Sequence, residues 1–182
     1  MIQGHRYKCR LTRMTTLKDS VRIDLQYSAW ATRRLLEACA TLSADEQSRE
    51  LGASHGSVLK TLHHIQVWEQ FWAGCLLADR IPPIDQVSDV AAPADLRFDE
   101  LVQSWPPMWA ELDRWLETKS DETLSQTLLL RISAETQFNC PRWQIVRHFV
   151  NHATLHRGQI ISMLRVFGKK PPCVDYLEYH LR

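Results

Sequence analysis

A chain of 182 residues with 45% hydrophobic content is long enough for one domain with a substantial core. Its 22 Lys and Arg against 21 Asp and Glu leave a formal charge of +1, which supplies no bulk attraction to nucleic acid or to an anionic membrane. No stretch approaches the roughly 20 apolar residues that span a bilayer, and the N-terminus lacks the apolar centre of a secretory signal, so a cytoplasmic protein with no membrane and no nucleic-acid partner is expected.

Arg6, Lys8, Arg10, Arg13 and Lys18 precede the first acid, Asp19, and residues 1–16 read as a basic extension ahead of a single domain over 17–182, with Met14 an alternative start. From Leu17 to about Leu42 there is no Pro or Gly, and Val21, Leu25, Ser28, Trp30, Leu35, Leu36 and Cys39 recur at helical intervals. This is the first helix. After a polar segment, Ser54 or Ser57 offers an N-cap, and Val58, Leu62, Ile65, Trp72 and Leu76 form the stripe of a second helix ending near Asp79.

Ile81-Pro82-Pro83 and Ala92-Pro93-Ala94 make residues 80–95 a connector, because proline cannot continue a helix. Fully extended it spans about 50 Å at roughly 3.3 Å per residue, enough to run the length of a bundle helix. A third helix, about Asp95 to Thr118, should be interrupted at Trp105-Pro106-Pro107. The different rhythm of Thr123 to Cys140 predicts a weak hairpin or extended excursion. Pro141 opens the last helix, which Gly168 and Pro171-Pro172 stop. Four long helices predict an all-α bundle whose core can host a site built from facing side chains. Cys9, Cys39, Cys75, Cys140 and Cys173 contain no Cys-x-x-Cys pair and read as reduced, with Cys39 and Cys75 packing as small hydrophobes.

Five of the eight histidines fall in two runs, His63-His64 and His148-x-x-x-His152-x-x-x-His156. At about 100° per residue, His64 lies on the flank of the second helix's apolar stripe and His63 roughly opposite it, so His64 should look inward and His63 face water. On the last helix a spacing of four carries each successive histidine about 40° further toward the apolar side, from His148 to His156. Imidazoles one turn apart can bind one metal ion at about 2.0 to 2.1 Å per bond, and His64 on a facing helix would add a third donor. Three nitrogen donors leave coordination positions for water or substrate, whereas a closed structural site needs a fourth ligand that no sequence feature indicates. The competing reading is of histidines with satisfied hydrogen bonds or on the surface.

At these residues the chain resembles the DinB/YfiT-like family. The resemblance is carried by Tyr27-Ser28-Ala29-Trp30-Ala31 with Arg34-Leu35-Leu36, by Gly56-Ser57-Val58 leading to Leu62-His63-His64-Ile65 and Glu69, and by His148-x-x-Asn151-His152-x-x-x-His156-Arg157-Gly158-Gln159 followed by Leu164-Arg165, Gly168, Pro171-Pro172 and Asp175. It covers about Leu17 to Tyr179. The chain departs from the pattern at Thr32, where asparagine is common, and in doubling the histidine of the second helix.

The resemblance implies a four-helix bundle with a long crossover between its second and third helices, a homodimer, and a divalent metal ion, whether zinc, nickel or iron, on His64, His152 and His156. It also implies a metal-dependent enzyme of thiol S-transferase or hydrolase type acting on a small-molecule substrate, with a low-molecular-weight thiol as possible co-reactant. The alternative is a non-catalytic metal-binding or stress- and damage-associated bundle protein. His148, Glu69, Tyr27 and Trp30 are candidates for supporting or pocket roles around the site. Seven tryptophans, more than a core of this size readily hides, also point to an interface and hence a dimer.

Overall fold

Helices dominate the chain. The computed structural model describes residues 16–82, 84, 92–131, 133 and 135–181. The basic extension expected over 1–16 lies, apart from Thr16, outside the described residues, and so does much of the connector, at 83 and 85–91.

Helix α1 spans Leu17–Cys39, and the Thr16 side chain caps it by accepting from the Asp19 amide at 3.0 Å. The polar segment after it is not featureless, because a Ser43–Glu46 capping box starts a short helix α2 at Ala44–Ser48. Helix α3, Val58–Leu77, is capped by Ser57, the second of the two serines expected to do so. The third predicted helix is two pieces, α4 (Phe98–Gln103) and α5 (Trp105–Glu117). The break falls at Ser104, so Pro106 and Pro107 sit in the first turn of α5, where their missing N–H groups cost nothing.

A short helix α6 (Asp121–Ser125) precedes the hairpin, in which β1 (Thr127–Arg131) pairs antiparallel with β2 (Gln137–Pro141), Leu128 opposite Cys140. Helix α7 runs Arg142–Val166 with Pro141 as its N-cap, and Gly168 at φ 68° ends it in the left-handed conformation that glycine adopts freely. A last short helix, α8 (Tyr176–His180), follows. No described helix is long and apolar enough to cross a membrane.

Helices α1 and α3 each pack against both α5 and α7, which closes the four long helices into a bundle. Between them lies a contiguous core that includes Leu35, Leu62, Ile65, Trp105, Ile160 and Leu164, all fully buried. Each such side chain contributes about 1.5 to 3 kcal/mol on burial. Of the seven tryptophans, Trp30, Trp72, Trp105 and Trp115 are buried and Trp68, Trp109 and Trp143 half-buried. Their number is therefore accommodated by the monomer and does not by itself indicate an interface.

Arg157 is fully buried and crosses the core. It donates to Ser28 Oγ at 3.0 Å, Thr32 Oγ1 at 3.1 Å and Thr154 Oγ1 at 2.7 Å. Glu69, also buried, accepts from Trp105 Nε1 at 2.6 Å and Ser28 Oγ at 3.3 Å. Burial pushes the Glu69 carboxyl up, and the nearby Arg157 charge opposes that push. This network ties α1, α3, α5 and α7 together, and Thr32 supplies one of its acceptors.

Candidate metal centre

The face shared by α3 and α7 carries the histidines. His152 and His156 lie one turn apart on α7, and His64 projects from α3 across to them. The Nε2 atoms of His64 and His152 are 3.2 Å apart, and those of His152 and His156 3.1 Å. His55, in the loop before α3, stacks on His64 with ring centroids 3.7 Å apart, and ring nitrogens of His55, His64 and His156 all lie within 4.8 Å of one another. This group could hold a metal ion.

Exposure along α7 follows the predicted drift: His148 is exposed, His152 half-buried and His156 buried. His63 corrects the sequence reading. It does not face water but is buried, at 7% exposure, while His64 is half-buried. The reason is the width of the covered arc on α3, where Thr61, Gln66 and Glu69 are buried along with the apolar stripe. An average over apolar residues alone misplaces the edge of that arc. His64, not His63, nevertheless meets His152.

The electronic state of the cluster suits a cation. The His152 imidazole is pushed down to about 4, first by burial and then by its neighbours His156, His64, His148 and His55. Burial also lowers His156 and His148. These rings are therefore neutral at pH 7 and present lone pairs. His156 Nδ1 lies 2.6 Å from Gln159 Oε1, an acceptor only, so the ring proton sits on Nδ1 and Nε2 is left bare toward His152.

His152 Nε2 stands between two other Nε2 atoms, while its Nδ1 is buried without a hydrogen-bond partner. One nitrogen has at most one proton to share between two neighbours, whereas a cation would satisfy all three lone pairs together. Nitrogens bound to one ion at about 2.0 to 2.1 Å stand roughly 2.9 to 3.4 Å apart for octahedral to tetrahedral angles, and the observed separations fall in that range. The donor set fits a borderline first-row ion such as zinc, nickel or iron better than a hard oxygen-seeking one.

The supporting candidates divide. His148 packs edge-on against Trp72 with centroids 5.0 Å apart and stacks beside His152 at 6.3 Å, which places it at the margin of the cluster. Glu69 belongs to the Arg157 network and makes no hydrogen bond to the cluster among the described residues. The Tyr27 hydroxyl donates to the Val174 carbonyl at 3.0 Å, and its ring packs on Trp30, Tyr176 and Tyr179. A cavity of about 260 Å³ is lined by Trp30, Arg33, Glu69, Trp109 and Asp113 among others, and none of the clustered histidines lines it.

Two core thiols offer no competing nucleophile. Burial pushes Cys39 up to about 12 and Cys75 up to about 11, so both stay protonated.

His55 was not singled out from the sequence. It lies in a polar stretch with no periodicity, and the only local signal is its position between Ser54 and Gly56, just before a helix.

Comparison with known proteins places the whole of this site within one family match. The profile of the DinB family matches residues 14–181. Protein DinB of Bacillus subtilis (strain 168) is 22% identical over 155 residues, covering 83% of this chain and 88% of that protein.

Proposed function

The chain belongs to the DinB family, and on that footing we propose that it is a metal-dependent enzyme acting on a small molecule through a divalent ion held by His64, His152 and His156. The observation that carries the reading is the convergence of three imidazole Nε2 atoms at 3.1 and 3.2 Å around His152, in a neutral environment. Zinc, nickel and iron suit these donors. An ion so held lowers the pKa of a bound thiol or water and supplies a nucleophile at neutral pH, which suits thiol S-transfer or hydrolysis.

The residues divide the work. His64, His152 and His156 bind; Gln159 keeps the His156 proton on Nδ1 and so fixes the orientation of that ring. His148 and Trp68 flank His152, each with its ring centroid 6.3 Å from that imidazole. We also place the protein in the cytoplasm and propose that it acts as a homodimer. Leu155 and Val166 on α7 are exposed and lie about 20° apart around the helix, two apolar side chains on one face that a second copy would cover.

A second reading, a metal-binding bundle protein without turnover, draws support from two observations. A fourth imidazole stands at the cluster, and the cavity beside Glu69 is lined by none of the clustered histidines. The experiment that separates them starts with the metal content of protein purified without an affinity tag. A screen for thiol transfer and hydrolysis on the metal-loaded protein follows. Stoichiometric metal with turnover that His152→Ala abolishes supports the enzyme; stoichiometric metal with no turnover supports the rival; no metal binding at all sinks both.

A further inference from the structure

We propose that His55 is an exchangeable fourth nitrogen donor to the same ion, carried on the loop before α3. The proposal rests on the three-histidine reading above and adds to it a residue that closes the site.

Imidazoles bound to one ion at about 2.0 to 2.1 Å have ring centroids on the order of 4.5 to 5.2 Å apart for octahedral to tetrahedral angles. His64 to His152 is 5.1 Å, His64 to His156 4.5 Å, His152 to His156 4.5 Å and His55 to His156 5.2 Å. All four fall in that range. His55 to His64, at 3.7 Å and 22°, is tighter because the two rings are stacked. His55 thus rests against one ligand with its nitrogen already within 4.8 Å of those of His64 and His156. A donor that must leave a stacking contact to bind is weaker than the helical three, and so exchangeable for substrate.

The loop is built to hold His55 there. Ser54 at φ 54° and Gly56 at φ 95° put left-handed backbone on both sides of it, and the Leu51 amide donates to the Gly56 carbonyl at 2.7 Å to close the turn. A serine in that conformation is costly and needs a compensating contact. Ser54 Oγ has one, donating to Gln159 Oε1 at 2.5 Å. The same oxygen accepts from His156 Nδ1 at 2.6 Å. One carboxamide oxygen therefore positions both the loop and a helical ligand. At position 56 the positive φ strains any residue with a Cβ, whereas the Glu50 carboxylate that such a Cβ would meet is the far end of a flexible side chain and can swing aside.

The test uses zinc and cobalt(II) as probes on the full chain, with His55→Gln, His152→Ala and the buried bystander His63→Ala. His55→Gln should bind either ion at least tenfold more weakly in chelator competition. X-ray absorption of zinc-saturated protein should count four imidazoles in the wild type and three in the variant. That count is taken at saturation and does not depend on any change in folding stability. Equal affinity and three imidazoles in both proteins, with binding lost in His152→Ala, overturns the fourth donor and leaves the three-histidine site standing. Unchanged binding in His152→Ala overturns the three-histidine reading as well.

Discussion

His156 and Arg157 are consecutive residues that serve two unlike polar regions. Their side chains leave α7 about 100° apart. Arg157 enters the bundle core, where hydroxyls of Ser28, Thr32 and Thr154 meet its N–H groups and Glu69 lies nearby. His156 joins a cluster in which lone pairs outnumber protons. The first region matches donors to acceptors with one exception, the buried Arg157 Nε, which has no hydrogen-bond partner. The second is three Nε2 atoms that the protons of neutral rings cannot all satisfy, a shortfall that a cation relieves at once. A buried polar group shows whether it is structural or functional by that balance more than by its burial.

The largest effect should come from breaking the matched region. Arg157→Ala leaves the Glu69 carboxyl without its nearby countercharge and removes a donor from the buried Ser28 and Thr32 hydroxyls, and urea unfolding should show a loss of about 3 to 5 kcal/mol, as for other buried charges deprived of their partner. A loss below about 1 kcal/mol would mean that the network contributes little.

Breaking the histidine region should cost stability only when metal is present. His152→Ala should abolish metal binding and remove the stabilisation that the ion gives, about 2.7 kcal/mol at a free concentration 100 times its Kd. His63→Ala should keep the metal, since His63 is buried apart from the converging nitrogens. Thermal melting with and without added zinc checks both.

An intermediate effect is expected at Gln159. Gln159→Leu removes the acceptor that holds the His156 proton on Nδ1 and also releases Ser54, so metal affinity should fall roughly 10- to 100-fold with little change in the melting of the metal-free protein. Competition titration against a chromophoric chelator would show it.

Acid sharpens the same contrast. In chelated protein His152 has a folded value of about 4, below its unfolded value of 6.5, so the unfolded chain binds the proton more tightly. Stability is therefore full above about pH 6.5 and is lost as pH falls toward 4. His152→Ala should flatten that slope in urea titrations at several pH values. The smallest effect should follow deletion of residues 1–13, which carry no apolar stripe; unfolding free energy should stay within about 0.5 kcal/mol.

The long helices were legible because each carries a stripe of period 3.6 and punctuation at its ends, as with Ser57 before α3 and Gly168 after α7. The hairpin at Thr127–Arg131 and Gln137–Pro141 was legible from its change of rhythm. The short helices α2, α6 and α8 were not, since five residues give no period to read. Within the site, the spacing of His152 and His156 and the inward drift from His148 follow from helical geometry alone.

The amino-acid sequence by itself determined where the long helices and the hairpin form, which face of α7 its histidines share and which family the chain resembles, because those are local or repeating patterns. Only the tertiary structure decided that His63 is covered, that Glu69 serves the Arg157 network, and that His55 comes to the cluster. Each depends on which other element packs against that residue. Nothing within a few positions of His55 reports that Gln159, 104 residues away, holds its loop.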